Sequence, residues 1–64
     1  MTFKYKQKVT VSGIKEVGII VGKADHRKWI VLYDEPPYDE VIKRKHEFPA
    51  MVIFDSCIEK VQDV

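Results

Sequence analysis

Two apolar runs, Val17 to Val21 and Trp29 to Tyr33, stand either side of a short charged break in the stretch EVGIIVGKADHRKWIVLY. Each is of strand length, too short for an independent helix, and is rich in Val, Ile, Trp and Tyr, the residues that fit a pleated, half-buried surface. A β-hairpin is what this pattern specifies. In a chain of 64 residues the rest must be attached to it. A domain of that size buries only about 60% of its unfolded surface and rarely holds more than about 3 to 5 kcal/mol of net stability. One domain over 1–64, with a single compact core, follows.

On the N-terminal side, Phe3, Tyr5, Gln7, Val9 and Val11 alternate with Lys4, Lys6, Lys8 and Thr10, the period of a strand with one wet face. The pattern predicts a first strand from Tyr5 to Val11, a Ser12-Gly13 turn, and a short loop through Ile14, Lys15 and Glu16. The second strand is expected over about Val17 to Lys23. Within it Gly18 and Gly22 mark places for a bulge or a close backbone approach. The third, Lys28 to Asp34, puts Trp29, Val31 and Tyr33 on one face and Ile30 and Leu32 on the other. With both faces partly apolar, a tightly curled sheet fits better than an open two-layer one.

The segment Asp34 to Ala50, DEPPYDEVIKRKHEFPA, breaks the strand pattern. Pro36 and Pro37 cannot sit in a central strand, and Glu35 before Pro36 is held out of helical dihedrals. Asp39 to Phe48 could hold one helical turn, with Asp39 as N-cap and Pro49 as stop, or an irregular edge segment. A connection this long in so small a domain is usually functional or mobile. Met51 to Phe54 then reads as a fourth strand, Asp55-Ser56-Cys57 as a tight 3₁₀-like turn, and Ile58 to Val61 as a last strand, with Gln62 to Val64 fraying.

The blocks KVTV, VGIIVGK, WIVLYDE, MVIF and IEKV, between Lys8 and Val61, resemble in layout the SH3-like small-barrel superfamily. The resemblance implies an all-β fold: an SH3-like five-stranded small barrel with one long loop between strands 3 and 4. Within the superfamily the pattern is similar to KOW- and Tudor-like barrels, to small accessory subunits, and to the plasmid-type dihydrofolate reductase. SH3 domains proper carry an ALYDY-like motif near the N-terminus, whereas VLYDE here lies on the third strand, at Val31 to Glu35. The plasmid-type reductase would need a Gln, an aliphatic residue and a Tyr in the penultimate strand. Here that strand offers Val52, Ile53 and Phe54, so the polar partner that orients pterin and nicotinamide is missing.

Eleven Lys and Arg against ten Asp and Glu give a net charge of +1, so no global field draws the chain to nucleic acid or an anionic membrane. The lone Cys57 allows no intramolecular disulfide, and the N-terminus has no apolar signal region, so a cytoplasmic protein is the expectation. A free-standing chain of this size and start fits a small gene product, for instance from a phage or mobile element. His26, His46 and Cys57 occur singly, without zinc spacing, and imply no metal site, cofactor or nucleophilic pair. They read as two exposed histidines and a small buried thiol.

Two surfaces remain as binding candidates. Tyr33, Tyr38, Val41, Ile42 and Phe48, set among charges of both signs, have the composition of apolar anchors within a charged rim that docks on a protein partner. The same apolar residues could instead fold back as a satellite core. Lys43, Arg44 and Lys45, with Lys4, Lys6 and Lys8 and nearby aromatics, could bind single-stranded nucleic acid. Equally, they could be a solvated loop and a lysine-blunted edge strand. Asp34, Glu35, Asp39 and Glu40 would repel phosphates unless the loop separates the two signs. The expected function is therefore a non-enzymatic accessory or regulatory module that docks on a protein through residues 34–48, with nucleic-acid binding as the alternative. A homo-oligomer that forms a site at a seam is a third possibility.

Overall fold

In a computed structural model that describes residues 2–61, the chain is all-β. In chain order the strands are β1 (Lys8–Val11), β2 (Ile14–Asp25), β3 (Lys28–Leu32), β4 (Tyr38–Asp39), β5 (Arg44–Lys45), β6 (Ala50–Phe54) and β7 (Ile58–Lys60). Five of them form one antiparallel sheet in the order β6-β3-β2-β1-β7, and β4 and β5 form a second sheet of two strands. Among the described residues no ladder joins β6 to β7, so the five-stranded sheet has two edges and is not a closed barrel. The expected fraying of Gln62 to Val64 lies outside the described residues.

The hairpin from β2 to β3 is the centre of the sheet, as its apolar runs require. Ile19 lies across from Leu32, Ile20 from Val31, Gly22 from Ile30 and Lys23 from Trp29. Register shifts after Ile20 and after Lys23 mark bulges, which bend the long β2 and let one chain segment pair with both β1 and β3. Trp29 and Val31 on β3 and Tyr33 just past its end are all buried, while Ile30 and Leu32 on the opposite face are half-buried. The core therefore lies on one side of the sheet. It joins Val9 and Val11 of β1, Ile14 and Ile20 of β2 and Ile58 of β7 to those three, and Phe3 closes one end with its ring edge-on to Trp29 at 5.2 Å.

Three departures from the expected strands have local causes. The first strand begins at Lys8, because Tyr5 and Lys6 form a turn: Lys6 takes a φ of 65° and the Gln7 N–H donates to the Lys4 carbonyl. The alternation from Phe3 is broken there, so Phe3 is buried and Tyr5 exposed. The second strand begins at Ile14, because the Ser12-Gly13 turn is tight and pairs Val11 directly with Ile14. Gly13 adopts a φ of +87°, which side-chain-bearing residues rarely take. Lastly, residues 39–48 form no helical turn. β4 and β5 pair instead, with Tyr38 across from Lys45 and Asp39 across from Arg44. The last two elements of the main sheet are joined as the sequence suggests, by one 3₁₀ turn over Asp55–Cys57.

Close packing at Gly18 fixes how β2 meets β3. A Cβ there would lie 2.6 Å from Val31 Cγ1 and 3.0 Å from the Tyr33 ring, whereas at Gly22 the nearest atom would be 3.7 Å away. Gly18→Ala should therefore destabilise the fold by about 1 to 3 kcal/mol through overpacking, while Gly22→Ala should stay within about 0.5 kcal/mol of wild type. Urea unfolding of the two variants side by side checks the contrast. Equal costs would remove the close approach at Gly18 as a determinant of the fold.

Candidate docking surface

The segment between β3 and β6 leaves the main sheet at Tyr33, whose N–H still donates to the Pro49 carbonyl at 2.8 Å. Pro37 is buried and turns the chain into β4, and Lys43, at a φ of 57°, closes the turn into β5. Asp39 is the organising residue. Its Oδ1 accepts the Val41 N–H at 2.9 Å, and its Oδ2 accepts the His46 Nε2–H at 2.8 Å. The expected N-cap thus caps a hairpin turn rather than a helix, since Asp side chains mimic a backbone turn equally well. Two further ties hold the hairpin to the rest of the fold: the Glu40 N–H donates to the Gly13 carbonyl at 2.7 Å, and Lys15 reaches Glu40 at 3.3 Å. A Cβ on Gly13 would meet Val41 Cγ2 at 2.7 Å, so the first turn of the chain and this hairpin are packed face to face.

Held in this way, the hairpin displays apolar side chains to solvent. Val41 is 75% exposed and Phe48 67%, with Ile42 and Tyr38 exposed beside them. The alternative of a satellite core formed by Val41, Ile42 and Phe48 is not what the chain adopts. Tyr33, expected on the docking surface, is only 5% exposed and belongs to the core, because just past the end of β3 it continues the inward alternation of Trp29 and Val31. A shallow groove of about 380 Å³ runs between Ile42, Arg44, Lys45, His46, Phe48 and Met51. A second, more apolar one of about 300 Å³ is lined by Val41 together with Ile14, Val52, Phe54 and Cys57. Val52 and Phe54 are exposed on the outer face of β6 and were not singled out from the sequence. Their signal was the strand alternation itself, which assigns Met51 and Ile53 inward and leaves these two apolar residues outside.

The basic residues are arranged differently from expectation. Lys43, Arg44 and Lys45 are exposed on the hairpin, but Arg44 faces Asp39 across the ladder and Glu47 lines the same groove. The hairpin register therefore interleaves the two signs instead of separating them. Lys4, Lys6 and Lys8 do not form a row along one strand: Lys6 lies in the N-terminal turn with its ammonium 5.6 Å from the Tyr5 ring, and only Lys8 is in β1. His26 is exposed as expected, whereas His46 is half-buried through its bond to Asp39, and Cys57 is half-buried. No group of three or more His, Cys, Asp or Glu among the described residues could hold a metal ion, and no helix there is long and apolar enough to cross a membrane.

No protein-family model, curated protein or solved structure matches the chain.

The bond from His46, supported by the backbone N–H groups of Val41 and Ile42, outweighs desolvation and holds the Asp39 carboxyl below its ordinary value of 3.8. A carboxyl lowered on folding contributes stability that is present above its unfolded pKa and lost as pH falls through the folded one. The hairpin amides of Val41 and Ile42 should accordingly keep their native chemical shifts down to about pH 4 and lose them below it. In Asp39→Asn this acid transition should vanish. An acid transition of the same size in the Asn variant would show that another group is responsible.

Proposed function

We propose that the chain is an SH3-like small barrel with its seam open between β6 and β7, and that it acts by binding, as an accessory or regulatory module that docks on a protein partner through residues 34–48. The fold assignment is supported by the strand order, by the core that gathers residues of β1, β2, β3 and β7, and by the one 3₁₀ turn between the last two strands of the main sheet. The observation that carries the function is the hairpin. Tyr38, Val41, Ile42 and Phe48 are exposed together on a segment that is tied down by Glu40 to Gly13, Lys15 to Glu40 and Asp39 to His46. Holding apolar side chains in water without a covering element has no use in the fold itself. A preformed display of them, rimmed by charges of both signs, lowers the ordering cost of association.

No reaction is part of this reading. Its grooves are shallow and open, and a partner that covers them would desolvate the aromatic and aliphatic anchors at their centre. Nucleic-acid binding remains the second reading, favoured only by Arg44 and Lys45 lining the same groove as Phe48. The carboxylates of Asp39 and Glu47 beside them weaken a phosphate track.

Site-specific photocrosslinking in the source cell separates the two. A benzoyl-phenylalanine in place of Phe48 or Val41 should give a discrete protein adduct, which Ile42→Asp abolishes; one in place of Glu59 should give none. Once the partner is purified, Phe48→Ala should weaken binding about tenfold or more, while leaving the unfolding midpoint within about 0.5 kcal/mol of wild type. Salt-sensitive adducts to nucleic acid, lost on reversing the charge of Lys43, Arg44 and Lys45, would instead establish the second reading.

A further inference from the structure

β6 is an edge strand of the main sheet, and its pairing with β3 fixes which way its backbone points. At one end of the ladder the Tyr33 N–H donates to the Pro49 carbonyl, and at the other the Asp55 N–H donates to the Arg27 carbonyl. Between these two bonds Leu32 to Lys28 pair with Ala50 to Phe54 without a register shift. In an antiparallel ladder hydrogen-bonded pairs alternate with non-bonded ones, so Met51 and Ile53 turn their N–H and C=O groups toward β3. Ala50, Val52 and Phe54 turn theirs away. No strand or other group among the described residues meets those outward groups.

Folded proteins blunt such an edge with charge, proline, a bulge or a very short strand. At the opposite edge of the sheet, β7 is three residues long and carries Glu59 and Lys60. By contrast β6 is five residues long, unbulged and uncharged, with Val52 57% and Phe54 53% exposed. The two grooves described above border all of it: Ala50 and Met51 line the larger, and Val52, Ile53 and Phe54 line the more apolar one. Successive residues of a strand point to opposite faces, so a groove that touches three in a row reaches the strand's edge. Since β3 occupies one edge, that edge is the free one. Near Ala50 the lining is basic, because Arg44 and Lys45, neither of them ion-paired among the described residues, outnumber Glu47.

We infer that β6 takes up an extended segment of a partner polypeptide as a sixth strand of the main sheet, with apolar residues at alternate positions and a carboxylate at the end that meets Arg44 and Lys45. The incoming strand supplies the missing donors and acceptors to Ala50, Val52 and Phe54. Its residues directly across from Val52 and Phe54 place their side chains on the same face, beside them. Its carboxylate makes charge-assisted hydrogen bonds with Arg44. The inference names the partner segment for the docking function proposed above and rests on that reading.

The probe is a pair of acetylated, amidated peptides of alternating Val and Thr, one ending in two Glu residues and the other in two Lys residues. Titrated into the ¹⁵N-labelled protein at constant ionic strength, the Glu-tailed peptide should give saturable shifts at Ala50, Val52 and Phe54. It should also slow hydrogen exchange of those three amides at least tenfold, while Met51 and Ile53 are protected before and after. The Lys-tailed peptide should bind at least fivefold more weakly, and Arg44→Glu combined with Lys45→Glu should reverse that order. N-methylating the peptide amides on alternate residues should abolish binding in one phase and spare it in the other. Val52→Pro removes an outward N–H and leaves the ladder to β3 intact, so it should keep the fold and lose the peptide; if it unfolds, the N-methyl series decides alone. Shifts that fail to saturate, equal affinity for the two tails, or binding insensitive to N-methylation in both phases would overturn the sixth strand. A dimer in sedimentation that protects the same amides without peptide would overturn a foreign strand in favour of a second copy. A partner still captured at Phe48 by Val52→Pro would overturn strand addition and leave the docking surface standing, so the two failures are read separately.

Discussion

The contact of Gly18 with Val31 and the Tyr33 ring is the point on which the structure turns. Val31 has no exposed surface and lies at the centre of the core, and the missing Cβ at Gly18 lets β2 come close enough to bury it together with Tyr33. Completely burying a Val or a larger apolar side chain stabilises by about 1.5 to 3 kcal/mol, so a few such residues decide whether a domain of this size folds at all. From that pairing the rest follows outward. β3 recruits β6, β2 recruits β1, and β1 recruits β7, each by adding a ladder to an edge already in place.

The same contact has a cost at the surface. Drawing Tyr33 inward buries its hydroxyl with no hydrogen-bond partner among the described residues and leaves Glu16 and Val17 beside Asp34 and Glu35 at the surface. Fold and surface chemistry are coupled there. On the opposite side of the long connection the coupling runs through Gly13, whose positive φ makes a tight turn and leaves the space that Val41 occupies. Both glycines thus act twice, once in the sheet and once in placing a surface element.

How much of this was legible follows from the range of the signal. The β2–β3 hairpin, the buried face of Trp29 and Val31, and the 3₁₀ turn before β7 were readable because each is local: strand periodicity, β-propensity and turn residues lie within a dozen positions. The β4–β5 hairpin was not, because two strands of two residues are too short to show a period, and Asp39 caps a hairpin turn with the same side-chain geometry that caps a helix. Tyr33 was assigned to the surface as one of several aromatics near the loop, although its alternation with Trp29 and Val31 already placed it inward. The lysine row failed at Lys6, where a left-handed residue interrupts an otherwise regular alternation. The nearness of Glu16 to Asp34 and Glu35 was beyond sequence reasoning, since only the folded chain brings the two segments together.

Docking through this surface depends on residues 38–46 being a preformed, clamped display and not a loop that samples many conformations. Native-state amide hydrogen exchange addresses this directly, because each clamp has a backbone N–H as its donor: Glu40 to the Gly13 carbonyl, His46 to the Pro37 carbonyl and Val41 to the Asp39 carboxylate. Protection of these three amides through openings nearly as costly as those of Ile20 and Val31 in the core is the result predicted. Exchange at the rate of an unstructured chain, with the core still protected, would contradict it.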